Sequence, residues 1–128
     1  MIDEQLILPL EARTTTAMGT SAAFRARAGR GLVLLIDVTA KASTPNISAV
    51  AIQVKGPAGT WATVYTWTGL TIADAGLFKF CVYPGAASAA TWTAAPLQGP
   101  IPARDLRVVL THDDTDSITY AVAAVFPA

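Results

Sequence analysis

Leu32-Val-Leu-Leu-Ile-Asp-Val-Thr-Ala40 is the stretch on which the fold turns. Leu32, Leu34, Ile36, Val38 and Ala40 share one face of an extended chain, and Val33, Leu35, Asp37, Thr39 and Lys41 share the other. A period of two is the mark of a strand, because successive side chains leave a strand on opposite sides. Both faces begin apolar, so the strand is expected to be dry on more than its core side.

Downstream the same period recurs. Val50, Ile52 and Val54 alternate with Ala49, Ala51, Gln53 and Lys55. Gly56-Pro-Ala-Gly59 reads as a tight turn, since Pro and Gly supply the dihedrals a reversal needs. Trp61, Thr63, Tyr65 and Trp67 then alternate with Ala62, Val64 and Thr66, which predicts a hairpin with the aromatic row on one face. Phe78, Phe80 and Val82 alternate with Leu77, Lys79, Cys81 and Tyr83 in a further strand. Residues 86–102 carry Pro96, Pro100 and Pro102 and read as a long loop. Leu106, Val108 and Leu110 form the next strand, Asp113 to Asp116 a polar turn, and Ile118, Tyr120, Val122, Ala124 and Phe126 the last inward row.

Upstream, Leu6, Leu8 and Leu10 alternate, and Pro9 among them places that strand at a sheet edge, because proline cannot donate to a ladder. Residues 1–28 are read as a possible N-terminal strand or arm. Within them, Thr20 to Ala28 fits a short helix or equally a strand or extended arm, and an irregular course is expected. The sum is about seven short strands and no long helix. That predicts an all-β fold: an antiparallel β-sandwich or jelly-roll-like domain spanning residues 1–128.

Composition narrows the function. The 128 residues carry nine Lys plus Arg against nine Asp plus Glu, and charged residues are 14% of the chain, against about 25% in an average protein. Balanced, sparse charge gives no field to gather phosphates, so no specific nucleic-acid partner is expected. A hydrophobic content of 52% and a mean hydropathy of +0.44 exclude intrinsic disorder. The longest strongly apolar run, Leu32 to Ile36, is far short of the roughly 20 residues of a membrane-spanning helix. The acidic start, Met1-Ile-Asp-Glu-Gln5, lacks the basic onset of a signal peptide, so neither a membrane nor an export address is expected. Ala and Thr together make 41 of the 128 residues, a small and weakly polar set that can sit close against another protein. A GC-rich genome would produce the same excess of Ala.

The search for chemistry returns little. His112 is the only histidine, and Asp113, Asp114, Asp116 and Ser117 crowd beside it. Residues of one turn rarely converge as a triad around a substrate, and no G-x-S-x-G elbow is present, so a hydrated turn is expected. Cys81 would need His112 on an adjacent strand to form a thiolate dyad, and in its apolar run it reads as a small buried hydrophobe. The three aspartates lack the glycine and closing glutamate of a calcium loop. Asn46-Ile-Ser48 matches the glycosylation triplet, which has no meaning without secretion. The expectation is a protein without catalytic residues, cofactor or metal. Candidate interface residues are Arg25 and Arg27 of the only basic cluster, and the aromatics Trp61, Tyr65, Trp67 and Trp92. The aromatics could fill the core, anchor a protein interface or stack on sugar rings.

Three segments in order carry a resemblance. Gly29-Arg-Gly-Leu-Val-Leu-Leu-Ile-Asp-Val-Thr-Ala40 resembles a strand of small tailed-phage head proteins, Ile52-Gln-Val-Lys-Gly56 their following hairpin strand, and Arg104-Asp-Leu-Arg-Val-Val-Leu-Thr-His112 with Ser117-Ile-Thr-Tyr-Ala-Val122 their closing hairpin. The match spans residues 29–126. The resemblance implies a structural protein of a phage head, of the capsid decoration or cement type. It would be made in the host cytoplasm and carried in the virion. Its partners would be the major capsid protein and copies of itself, as trimers or other small oligomers. A carbohydrate-binding β-sandwich, or a neck or tail component, is the alternative. A sugar binder predicts exposed, coplanar Trp61, Tyr65 or Trp67.

Overall fold

A computed structural model describes residues 3–25, 32–40, 47–72, 74–82, 105–113 and 115–126. They form eight strands: β1 (Asp3–Arg13), β2 (Phe24–Arg25), β3 (Leu32–Ala40), β4 (Ile47–Lys55), β5 (Trp61–Trp67), β6 (Gly76–Val82), β7 (Asp105–His112) and β8 (Ile118–Phe126). One sheet has the order β1-β8-β3-β6 and the other β2-β7-β4-β5, and every pairing is antiparallel. Of consecutive strands only β4 and β5 share a sheet, so the chain passes between sheets at each other step. Two four-stranded sheets interleaved in this way make a jelly roll.

Alternation decides which faces meet. Leu34 and Ile36 of β3, Val50 and Ile52 of β4, Val108 and Leu110 of β7, and Tyr120 and Val122 of β8 all lie fully buried between the sheets. Aromatic pairs tie one sheet to the other. Phe24 meets Phe126 with ring centroids 6.5 Å apart, and Trp67 meets Phe80 at 5.2 Å. The turn after β4 closes as its sequence requires. Gly59 takes a φ of 89°, a left-handed value that glycine adopts without strain, and its N–H donates to Gly56 O at 3.0 Å.

Two sequence expectations change, and two open ones are decided. The segment from Arg104 to Val122 is not a hairpin: β7 pairs with β2 and β4, β8 pairs with β1 and β3, and the polar turn between them crosses from one sheet to the other. Of the strand or arm open to the N-terminal residues, 3–13 form the strand. β1 is an edge strand, as Pro9 predicted, but it runs the length of β8 and lends Leu8 and Arg13 to the interior. It absorbs Pro9 at a register shift between Leu8 and Glu11. Thr20 to Arg25 follows the irregular course expected, with short extended pairings: Thr20 bridges Val109, and Phe24 and Arg25 pair with Leu106 and Asp105.

The second change concerns the aromatic row. Ile52 pairs with Tyr65 but Gln53 pairs with Thr63, which leaves Val64 as the extra residue of a bulge. One extra residue reverses the facing of all that precede it on the strand. Tyr65 and Trp67 therefore face inward, whereas Trp61 and Thr63 face outward. Arg27, Trp92 and the loop predicted over residues 86–102 lie outside the described residues.

Candidate protein interface

The outer face of the β1-β8-β3-β6 sheet is built from the residues that alternate with the core. Register sets Glu4, Val125, Val33 and Cys81 in one row across it, and Leu6, Ala123, Leu35 and Lys79 in the next. Asp37 and Leu77 follow as a pair. Leu6 is 66% exposed and Leu77 65%, at opposite edges of a surface that is mostly apolar but carries Glu4, Asp37 and Lys79. A large aliphatic side chain so exposed loses roughly 1.5–3 kcal/mol of burial that a partner surface could restore.

The outer face of the other sheet has two halves. Ala49, Ala51, Thr66, Val109 and Thr111 make a neutral half of small side chains. The other half holds the polar groups. The Arg107 guanidinium stacks over the Trp61 ring at 4.5 Å and its Nε donates to Gln53 Oε1 at 2.6 Å. Gln53 Nε2 in turn donates to Thr63 Oγ1 at 3.2 Å. Arg25 reaches Asp105 at 3.5 Å, an exposed ion pair of small energetic value.

These positions sort the sequence-predicted residues. Arg25 is exposed at the sheet edge. Trp61 is half-buried beneath Arg107. Tyr65 packs against the core, and burial pushes its hydroxyl pKa above the usual 10.0. Trp67 is only 3% exposed and belongs to the core, so it is no surface anchor. The three rings do not form a coplanar exposed platform, and that removes the geometry a sugar-stacking site needs.

The chemistry-bearing residues are also separated. Cys81 lies on the outer side of its sheet, while His112 reaches the buried Tyr120 on the inner side, with Nε2 2.8 Å from the hydroxyl. Sheet backbone stands between them, so no dyad forms. Asp113 accepts a hydrogen bond from Ser48 Oγ at 2.6 Å, and His112 meets a tyrosine rather than a serine. Among the described residues no group of three His, Cys, Asp or Glu side chains is placed to hold a metal ion.

Two residues were missed by sequence reasoning. Arg107 sat in a regular strand pattern with no signal of its partner Trp61, because the bulge at Val64 is not written in the alternation. Arg13 is fully buried, which a charged residue late in an edge strand does not announce. It lies over the Tyr120 ring at 4.6 Å, and Tyr120 in turn bonds His112. The adjoining turn is tight: a Cβ at Gly19 would stand 2.8 Å from Leu110 O and from the Tyr120 hydroxyl.

The sequence matches no protein-family model and no curated protein. Among solved structures the chain is similar to the structure of infectious bursal disease virus Gx strain, with a TM-score of 0.48 and 14% identity over 98% of this chain and 31% of that one. It is similar to the Gt strain structure with a TM-score of 0.41 and 13% identity, over 98% of this chain and 33% of that one. A mutant VP2 protein of the same virus, in derived T=1 particles, gives 0.32 and 16% identity, over 98% and 32% of the two chains. This chain thus spans about a third of the length of those chains.

Proposed function

We propose that this chain is a structural subunit of a virus particle, a decoration or cement protein of a tailed-phage head that binds the capsid lattice and stabilises it. The observation that carries the reading is the mostly apolar outer face of the β1-β8-β3-β6 sheet, where Leu6 and Leu77 stand about two-thirds exposed. An apolar sheet face on a rigid domain is suited to permanent contact with protein. The ordered resemblance over residues 29–126 to small phage head proteins supports the same role. Jelly rolls build viral capsid and lectin domains alike, so the fold leaves the choice to the surface. Among the described residues no exposed aromatic platform for sugar is formed.

In this role the work is done by burial and repetition. Each subunit contributes modest contacts, and a lattice that presents many sites at high effective concentration makes them strong together. Arg25 and Arg27 would meet acidic groups of the major capsid protein, and Trp61 and Trp92 would supply ring contacts. The partners are that capsid protein and further copies of this chain, in trimers or another small oligomer. Neither catalysis nor a cofactor takes part.

The test is quantitative mass spectrometry of density-gradient-purified particles from cells that carry the gene. A decoration subunit appears in fixed, high ratio to the major capsid protein. A few copies per particle would move the chain to the neck or tail. Its presence only in the soluble cell fraction would refute a virion role.

A further inference from the structure

We propose that two copies of this chain associate face to face through the outer surfaces of their β1-β8-β3-β6 sheets, about a two-fold axis parallel to the strands. Three features of the face define this axis. The first is relief. β3 carries the bulky Leu35 where β8 carries Ala123 in the same row. An axis midway between β8 and β3 lays each β3 on the β8 of the second copy. Each Leu35 then enters the hollow over the opposite Ala123, twice per contact.

The second feature is charge. Glu4 lies on edge strand β1 and Lys79 on edge strand β6, three strand spacings or about 14 Å apart, with no ion pair to each other. The same axis stacks β1 on the β6 of the second copy and brings each Glu4 within one row of the opposite Lys79. A two-fold running across the strands through that row would instead set Lys79 against Lys79, which like-charge repulsion disfavours. The third feature is the exposure of Leu6, which this arrangement lays on the aliphatic stem of the opposite Lys79. A two-fold contact of this kind is isologous and closes on itself.

This contact presupposes that the chain assembles with itself, whereas residence in a particle is read by mass spectrometry of virions. A failure here with the chain present in particles would refute this face alone. The experiment is light scattering across a concentration series on the wild type, Lys79→Glu, Glu4→Lys and an equimolar mixture of the two variants. The wild type is expected at twice 13.3 kDa. Each variant alone is expected to dissociate about tenfold more readily, since two attractive pairs become two repulsive ones. The mixture is expected to restore the dimer, because each Glu at position 79 then meets a Lys at position 4 across the interface. The intrachain distance is too long for the rescue to arise within one copy. Ala123→Arg, which fills the hollow from the outside, is expected to give a folded monomer, with an unchanged far-ultraviolet spectrum as the control. A wild-type monomer at all concentrations, a trimer, or a dimer whose mixture shows no rescue would overturn the proposal.

Discussion

Arg13 carries a full charge into a place without water, and the surrounding atoms explain how. Its guanidinium donates to the carbonyls of Pro9, Glu11, Met18 and Tyr120, approaches the Glu11 carboxylate at 3.6 Å and covers the Tyr120 ring. Those carbonyls belong to the β1 bulge, to β8 and to the turn after β1, so one planar fork gathers three backbone segments. Lysine offers three donors on a point charge and cannot reproduce that fork. Arg13→Lys is expected to lower the unfolding free energy by about 1–2 kcal/mol, and Arg13→Met by about 3 kcal/mol, because buried carbonyls lose their donors. Urea denaturation of both variants checks the order, and an Arg13→Met protein as stable as the wild type would refute the clamp. Tyr120 extends the cluster. Burial drives its hydroxyl pKa well above the usual 10.0. An acid whose folded pKa is raised keeps its proton longer in the native state, so its stabilisation is whole below about pH 10 and declines as pH rises beyond it. The melting temperature is expected to fall as pH rises above about 10. Tyr120→Phe should flatten most of that decline and leave the smaller part due to Tyr65, whose pKa is shifted in the same direction.

At the scale of the element, β1 is the strand that decides what the molecule can lose. It forms one edge of its sheet, yet Leu8 packs into the core and Arg13 locks the turn beneath β7. Removal of residues 1–13 is therefore expected to abolish cooperative thermal unfolding rather than yield a folded domain without an arm, and calorimetry distinguishes the two. A sharp transition in the truncated chain would show β1 to be dispensable. The strands themselves were legible in the sequence because alternation is local. β3 and β5 begin and end where the pattern does. What escaped was register and the choice of partner away from the β4–β5 hairpin. The bulge at Val64 follows from the register of β5 on β4, so the outward turn of Trp61 onto Arg107 had no local sign. The separation of β7 from β8 was hidden for the same reason: a short polar turn joins a hairpin and a sheet-to-sheet crossing equally well. Of the interface candidates, Arg25 stands exposed at the sheet edge. Trp67 takes the core place among the three open to it, a choice the sequence could not make because an aromatic on an alternating strand carries no label for which face is inside.

At the scale of the whole molecule, the pairing of β1 with β8 joins the two most distant parts of the described chain. Asp3 stands opposite Phe126, and Arg13 opposite Ile118. β8 sits between β1 and β3, with five of its side chains in the core, so the sheet is completed only when the last strand arrives. Folding dominated by such non-local pairings is slow, in the range of milliseconds to seconds. The adjacency of Asp3 and Phe126 makes a direct test of the topology. A chain in which residue 126 is joined to residue 3 by a short flexible linker, and which is opened between Pro57 and Gly59, keeps every strand and every neighbour. It exchanges one local hairpin, β4 to β5, for one local hairpin, β8 to β1. Loop-closure entropy changes only with the logarithm of loop length, at about 0.6 kcal/mol per doubling. The permuted protein is therefore expected to fold to the same far-ultraviolet spectrum, within about 2 kcal/mol of the wild type. Its refolding rate should report which hairpin forms first, because the rate rises if β1–β8 pairing limits folding and falls if β4–β5 pairing does. A permuted chain that stays unfolded would mean that β1 does not lie against β8.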